Sequence, residues 1–208
     1  MAITQTHSRM VSDVNAGSTY VASSQLGTSA NNVVQLTAAA KLPAVDGSLL
    51  TGVAAGGKVL QIQHAVVTAA TFTTGSTSFT DLTGMTISIT PSAASSKILL
   101  TVNFSFDTSA TTHFAAIKAL RGVTDLDVGD AAGSRVRCAV WGASYSNQAT
   151  VNRSMTWLDS PSTTSATTYK LQIQMDGGTF YLNRATTDSD NASFPRTIST
   201  ITATELGA

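Results

Sequence analysis

Charge is scarce in this chain of 208 residues. Only 12% of the residues are Asp, Glu, Lys or Arg, about half of the share that is usual in soluble domains. The formal net charge is zero, and the Lys and Arg residues are spread singly rather than clustered. Proteins that bind nucleic acid concentrate cations on one surface, so we expect no nucleic acid as a partner. A surface with little charge fits stable assembly and an uncharged Ser- and Thr-rich exterior equally well.

Cysteine is almost absent, and long apolar runs are missing. Cys138 is the only cysteine, which excludes an intrachain disulfide and a multi-cysteine zinc site. It lies in an alternating stretch, residues 135–141, for which we predict a strand with Val136, Cys138 and Val140 inward and a buried, unreactive thiol. No run approaches the 18 or so apolar residues that span a bilayer, and residues 1–14 lack the apolar centre of a secretory signal. We therefore expect no membrane insertion.

The motifs that usually mark enzymes are also missing. The chain has no nucleophile elbow, no phosphate-binding P-loop and no H-E-x-x-H zinc motif. Its three histidines stand in unrelated contexts, and Glu205 is the only glutamate, so a carboxylate pair for glycan cleavage would depend on aspartates. We predict a protein without catalytic residues or a cofactor. A small polysaccharide hydrolase remains a third hypothesis.

Alternation of apolar and polar residues dominates the chain from residue 58 onward. It is clearest in residues 97–107, where five apolar side chains share one face: Ile98, Leu100, Val102, Phe104 and Phe106. Residues 112–121 predict a strand buried on both sides. In residues 58–67 His64 shares a face with Leu60, Ile62 and Val66, which predicts a core or interface histidine. Nine or ten such strands without a helical period predict an all-β antiparallel sandwich or jelly roll over residues 58–208.

Residues 1–57 have a different character. Residues 1–33 are small and polar, and we predict an extended segment that anchors the chain to a partner protein. Residues 34–57 contain apolar side chains on neither a helical nor a strand period, which favours a segment that wraps against copies of itself or a neighbouring body. The candidates for this neck contact are Leu42, Pro43, Val45, Leu49 and Leu50.

Two polar stretches are candidate binding sites. Residues 141–148 combine aromatic, amide and hydroxyl side chains, the types that recognise sugars, and the candidates there are Trp141, Tyr145 and Asn147. Alternatively, Trp141 packs under the sheet and the remainder is a connection. Asp188, Asp190 and Asn191 favour a turn first and a contact with an ion or sugar second.

One acidic stretch partly resembles a calcium loop. Asp125, Asp127 and Asp130 place three carboxylates within six residues, but a closing glutamate is missing. We favour a solvated hairpin and predict no metal, with these three aspartates as weak candidates.

The run LTAAAKLPAVDGSLLTGV, residues 36–53, resembles a segment of tailed-bacteriophage fibre proteins. In those proteins it joins a virion-attachment region or shaft to a C-terminal head. The later pieces SSKILLTVNFSF, ALRG, GDAAGSR, LDSPSTTSATTYK, YLNR and RTISTITATEL are similar, more loosely, to the head at the end of many phage fibres. The head of those relatives resembles a trimeric β-sandwich of the C1q/TNF type, and the resemblance spans roughly residues 31–208.

The resemblance implies a structural component of a virion, in the form of a short homotrimeric fibre. Residues 1–33 would attach to other virion proteins, residues 34–57 would form the neck, and residues 58–208 would bind a host-surface glycan or protein. The alternative is a capsid or neck decoration protein that braces the particle without a receptor. The loops 122–134, 141–148 and 185–195 discriminate between them, since adhesion requires that they face away from the particle.

Overall fold

The computed structural model describes residues 58–144 and 149–207. Regular structure in these residues consists of eleven β-strands, and none of them forms a helix that is long and apolar enough to cross a membrane. The strands are β1 (Val59–Val67), β2 (Thr73–Thr74), β3 (Thr80–Ile89), β4 (Lys97–Thr108), β5 (Ala115–Arg121), β6 (Thr124–Leu126), β7 (Val140–Gly142), β8 (Val151–Asp159), β9 (Thr167–Met175), β10 (Phe180–Leu182) and β11 (Ser199–Leu206).

The strands form two antiparallel sheets. One has six strands in the order β1-β11-β4-β10-β2, with β8 also paired to β4. The other has five strands in the order β3-β9-β5-β6, with β7 also paired to β5. The chain passes from sheet to sheet along β3, β4 and β5, and again along β8, β9 and β10. This alternation produces a sandwich of the jelly-roll kind, which confirms the predicted fold class.

The core lies between the two sheets. The five apolar residues of β4 that were predicted to share a face are all fully buried, and they meet Tyr169, Leu171, Ile173 and Met175 of β9. Phe106 stacks between Phe104 and Phe180, with ring centroids 5.6 and 5.1 Å apart. Each large side chain removed from water contributes about 1.5–3 kcal/mol, so this layer supplies much of the favourable free energy of folding.

The prediction for residues 112–121 is also confirmed. β5 occupies the middle of the five-stranded sheet, and its residues on both faces are buried, namely Ala115, Ala116, Ile117, Ala119 and Leu120. Only Lys118 and Arg121 of this strand are partly exposed.

For β1 the core alternative is wrong, because the face that carries His64 is exposed, whereas a place for His64 at an interface stays a prediction. Ile62 and Val66 are 59% and 51% exposed, and His64 is a surface residue whose Nδ1 lies 2.7 Å from the Thr202 hydroxyl. The pairing with β11 explains the inversion, because it places Gln61 on the inner side. There the Gln61 amide donates to the buried carboxylate of Glu205 at 2.6 Å.

Glu205 and Asp159 are two acidic side chains that tie elements of the sandwich together. Glu205, 0% exposed, accepts hydrogen bonds from the Ser92 backbone N–H and hydroxyl at 2.7 and 2.6 Å. Asp159 of β8 accepts from Arg121 and from the Tyr169 hydroxyl at 2.6 and 2.7 Å, and thereby joins one sheet to the other. Burial and the Asp159 carboxylate both raise the pKa of Tyr169, because each disfavours the phenolate.

The strand predicted for residues 135–141 is largely wrong. Only Val140–Gly142 is a strand, and residues 127–139 form a loop. The loop is held by bonds from the Gly129 N–H to the Cys138 carbonyl and from Arg137 Nε to the Gly129 carbonyl. Cys138 is consequently half-buried rather than buried, and Val136 is 39% exposed. The alternation predicted inward side chains here, but these residues bond mostly to one another and not to a neighbouring strand, so they form a loop.

The first and last described residues lie at one end of the sandwich, and connecting loops form the other end. Lys58 lies at one end, where its carbonyl accepts a hydrogen bond of 2.7 Å from Gly207. Leu206, opposite Lys97 in the sheet, places the start of β4 at that end as well. The 12 residues of β4 then span roughly 35 Å to the other end. We call this other end, formed by residues 109–114, 143–144 and 176–179, the loop end.

Candidate functional site

A buried carboxylate at the loop end holds two candidate binding segments together. Asp107 is 0% exposed; its Oδ1 accepts from the Ser144 hydroxyl and its Oδ2 accepts from the Thr186 N–H at 2.6 Å. Thr108 repeats the pattern, since its hydroxyl accepts from the Ser144 N–H and its carbonyl accepts from the Thr186 hydroxyl. The segments that begin at Ser144 and Thr186 therefore start side by side, although they are 42 residues apart in sequence.

Trp141 forms an aromatic surface at this end. Its ring is 47% exposed and stacks nearly parallel on Phe114, with centroids 5.7 Å apart and planes 12° apart. The Phe114 N–H donates to Asp176 at 2.7 Å, which ties the backbone under the stack to the neighbouring hairpin. Of the two interpretations of the sequence, packing of Trp141 under the sheet is wrong, and an exposed aromatic face is what the structure contains.

A cleft of about 300 Å³ lies beside Trp141. Arg135, Val136, Cys138 and Trp141 line it, and the lining is mostly apolar. Burial raises the pKa of the Cys138 thiol, so the sulfur remains protonated and weakly nucleophilic at neutral pH. An apolar wall with one cation at its rim suits binding better than covalent chemistry.

The acidic candidates near residue 190 form a second, more polar hollow of about 260 Å³. Asp188, Asp190 and Asn191 line it together with Phe194 and Arg196. Asp188 is already engaged by Arg196 at 2.6 Å, and the Asn191 side chain accepts the Ser193 N–H at 2.9 Å. These contacts confirm that the stretch is a turn, and both Asp188 and Asp190 are exposed.

The weak metal candidates have other roles where a role is visible. Asp125 pairs with Lys118 at 2.7 Å. Asp127 has a φ of 27° and lies at the start of the loop of residues 127–139. Across residues 58–144 and 149–207, no group of three or more His, Cys, Asp or Glu side chains is arranged to hold a metal ion.

Several predicted residues lie outside the described part of the chain. They are Tyr145 and Asn147, and the neck candidates Leu42, Pro43, Val45, Leu49 and Leu50. Of the three discriminating loops, the Gly122–Val123 turn lies at the Lys58 end, since Arg121 pairs with Asp159 opposite Ile98. The described bases of the other two loops lie at or beside the loop end.

The outer face of the six-stranded sheet is free of charged side chains over three rows. The register aligns Ile62, Thr204, Leu99 and Leu158; His64, Thr202, Thr101 and Thr156; and Val66, Thr200, Asn103 and Ser154. We call these twelve residues the neutral face. The outer face of the five-stranded sheet differs, because it carries the ion pairs Lys118–Asp125 and Lys170–Asp81 at 2.7 and 2.8 Å.

Sequence reasoning did not single out Asp107, Phe114 or Arg135 as site residues. Asp107 ends an apolar strand, and its partners lie 37 and 79 residues away in sequence. Nothing in the local sequence distinguishes Arg135 from Arg137 two residues later.

No protein-family model matches the chain, and a search of curated proteins finds no match either.

Proposed function

We propose that the chain is a structural protein of a tailed-bacteriophage particle, a short trimeric fibre whose head binds a glycan on the host surface. The observation that carries this proposal is the position of Trp141. A half-exposed indole, supported from behind by Phe114, lies beside an apolar cleft at the end of the sandwich remote from Lys58. Exposed aromatic faces with nearby polar groups suit sugar rings, which have apolar C–H faces and hydroxyl edges.

The jelly-roll topology supports the resemblance to phage fibre heads. The proposal assigns residues 1–33 to attachment on other virion proteins and residues 34–57 to the neck. Attached in this way, the head would present its loop end, which is roughly 35 Å from Lys58 along β4, to the host.

The neutral face supports the trimer. Ile62, Val66 and Leu158 are each at least 51% exposed there, in a sheet face that otherwise carries Leu99 and Thr, Ser, Asn and His side chains. Isolated apolar residues are common on surfaces, but rows of them without charges mark contact surfaces. Three copies would also strengthen a weak sugar site, since a second bound site raises the overall affinity without a new contact.

The oligomer is tested by light scattering on the full chain. We expect a trimer for the wild type and dissociation for Leu158→Glu, because a carboxylate would be buried without a partner in the interface. Val123→Glu is the matched control, since Val123 is 92% exposed on a turn away from the neutral face. A wild-type monomer at micromolar concentration, or an intact Leu158→Glu trimer, contradicts the role assigned to this face.

Receptor binding is tested with the labelled full chain on a panel of bacterial cells with and without their surface polysaccharides. Trp141→Ala is expected to weaken binding at least about thirtyfold, as for a central aromatic contact worth about 2 kcal/mol. Val123→Ala should leave binding unchanged. One outcome would overturn adhesion and support the bracing role instead. It is a trimer that binds no cell but attaches to phage particles from which this protein is missing.

A further inference from the structure

Arg135 differs from the other arginines of the described chain, because its guanidinium has no hydrogen-bond or ion-pair partner there. The others are engaged: Arg121 and Arg196 by Asp159 and Asp188, and Arg137, Arg153 and Arg184 by the carbonyls of Gly129, Asn152 and Ala70. In a chain with only 12% charged residues, a free guanidinium at the rim of the binding cleft is a distinctive feature.

Among the residues that the structure describes, no carboxylate balances the charge of Arg135. Val136, Cys138 and Trp141 complete the described lining of the cleft, so none of the described lining side chains is a carboxylate. Apolar walls exclude water and strengthen an electrostatic contact made against them. A guanidinium presents a planar fork of donors that matches the two oxygens of a carboxylate.

We propose that the cleft binds a carboxylated sugar unit, such as a uronic acid, of a host-surface polysaccharide, with its carboxylate on Arg135 and its ring against Trp141. The proposal rests on the proposed function and names the ligand class of the same site. One guanidinium balances a single negative charge, which favours a carboxylate over a phosphate dianion. The volume of about 300 Å³ lies at the small end of ligand pockets, which suits one sugar unit rather than several.

The direct test compares two ligands with the same sugar chain, trigalacturonate and its methyl ester, in which esterification removes the negative charges and adds a methyl group to each unit. Binding to the full chain is followed by calorimetry and by tryptophan fluorescence. Trp141 is the reporter, because the only other tryptophan, Trp157, is 5% exposed. A sialic acid trimer with its methyl ester provides a second carboxylated probe, and galactose 1-phosphate tests phosphate as the alternative anion.

We expect the acid to bind at least about tenfold more tightly than the ester at low salt, and the advantage to shrink as salt rises. Arg135→Met should remove the difference between acid and ester, and Arg135→Lys should restore part of it, because lysine keeps the charge without the fork. Arg137→Met is the matched control and should keep the full difference.

Equal binding of acid and ester for both carboxylated probes overturns the proposal, as does an Arg135→Met variant that still prefers the acid. Tighter binding of galactose 1-phosphate overturns the assignment to a carboxylate. The cell-binding assay separates this inference from the proposed function. Cells bound equally by the wild type and Arg135→Met would refute the role of Arg135 and leave adhesion intact, whereas a wild type that binds no cell refutes adhesion.

Discussion

Replacing Glu205 by glutamine should remove a pH-dependent part of the stability of the sandwich. The carboxylate is fully buried and accepts hydrogen bonds from Ser92 and Gln61, which lie on two other segments of the chain. Burial alone would raise the pKa of Glu205, but the bonds from Ser92 and Gln61 outweigh burial and lower this pKa to about 2 from its usual 4.5.

The size of the effect follows from this difference in pKa. Each pKa unit corresponds to about 1.4 kcal/mol, so ionised Glu205 contributes on the order of 3 kcal/mol to the free energy of unfolding. Because the pKa is lower in the folded chain, the contribution is fully present above about pH 4.5. It is lost as the pH falls toward 2, where the folded protein also takes up the proton.

The assay is urea unfolding followed by circular dichroism from pH 7 to pH 2, at one protein concentration because the proposed trimer makes stability concentration-dependent. Glu205→Gln should be less stable than the wild type by about 3 kcal/mol at pH 7, and the difference should decrease toward pH 2. Subtracting the variant from the wild type cancels the other carboxylates. Asp125→Asn, an exposed partner of Lys118, should cost at most about 1 kcal/mol. A wild-type minus Glu205→Gln difference that stays constant across this pH range would refute the reasoning.

Three further substitutions, measured by the same unfolding assay, test two side-chain hydrogen bonds and one glycine turn in the described chain. Asp107→Asn should cost about 2–4 kcal/mol, because an amide cannot accept on both sides; an unchanged midpoint would show that the two segments do not depend on it. Gly178→Ala should cost at least about 2 kcal/mol, since φ is +66° and the new Cβ would lie 2.5 Å from the His113 ring. Tyr169→Phe should cost about 1.5–3 kcal/mol through the lost bond to Asp159, and a variant as stable as the wild type would argue against that bond.

The sequence predicts a strand best where the alternation of its residues also determines which of its faces is buried. In β4 the alternation is long, and a strand in the middle of a sheet must bury its apolar face. In β1 the alternation correctly identifies which residues share a face, but not which face meets the core. That choice depends on Glu205, 144 residues from Gln61, whose carboxylate requires the Gln61 amide on the inner side.

In the candidate site, too, the local sequence predicts some features, and others depend on residues far away in the chain. Trp141 is recognisable from its sequence neighbourhood, because an aromatic residue followed by Gly, Ser, Asn and Gln is typical of a binding loop. The support from Phe114 and the joining of two segments at Asp107 depend on pairings between distant strands. The lack of a described partner for Arg135 is equally non-local, since it depends on where the fold places the carboxylates and carbonyls that engage the other described arginines.

The bond between Gly207 and Lys58 has a consequence for engineering. Both ends of the described sandwich emerge together, and the intervening chain returns to its starting point. Such a unit can be inserted into a surface loop of another protein without forcing the two sides of that loop apart, because its two attachment points lie close together. A display scaffold made in this way would present the loop end on the side opposite the graft, roughly 35 Å away along β4.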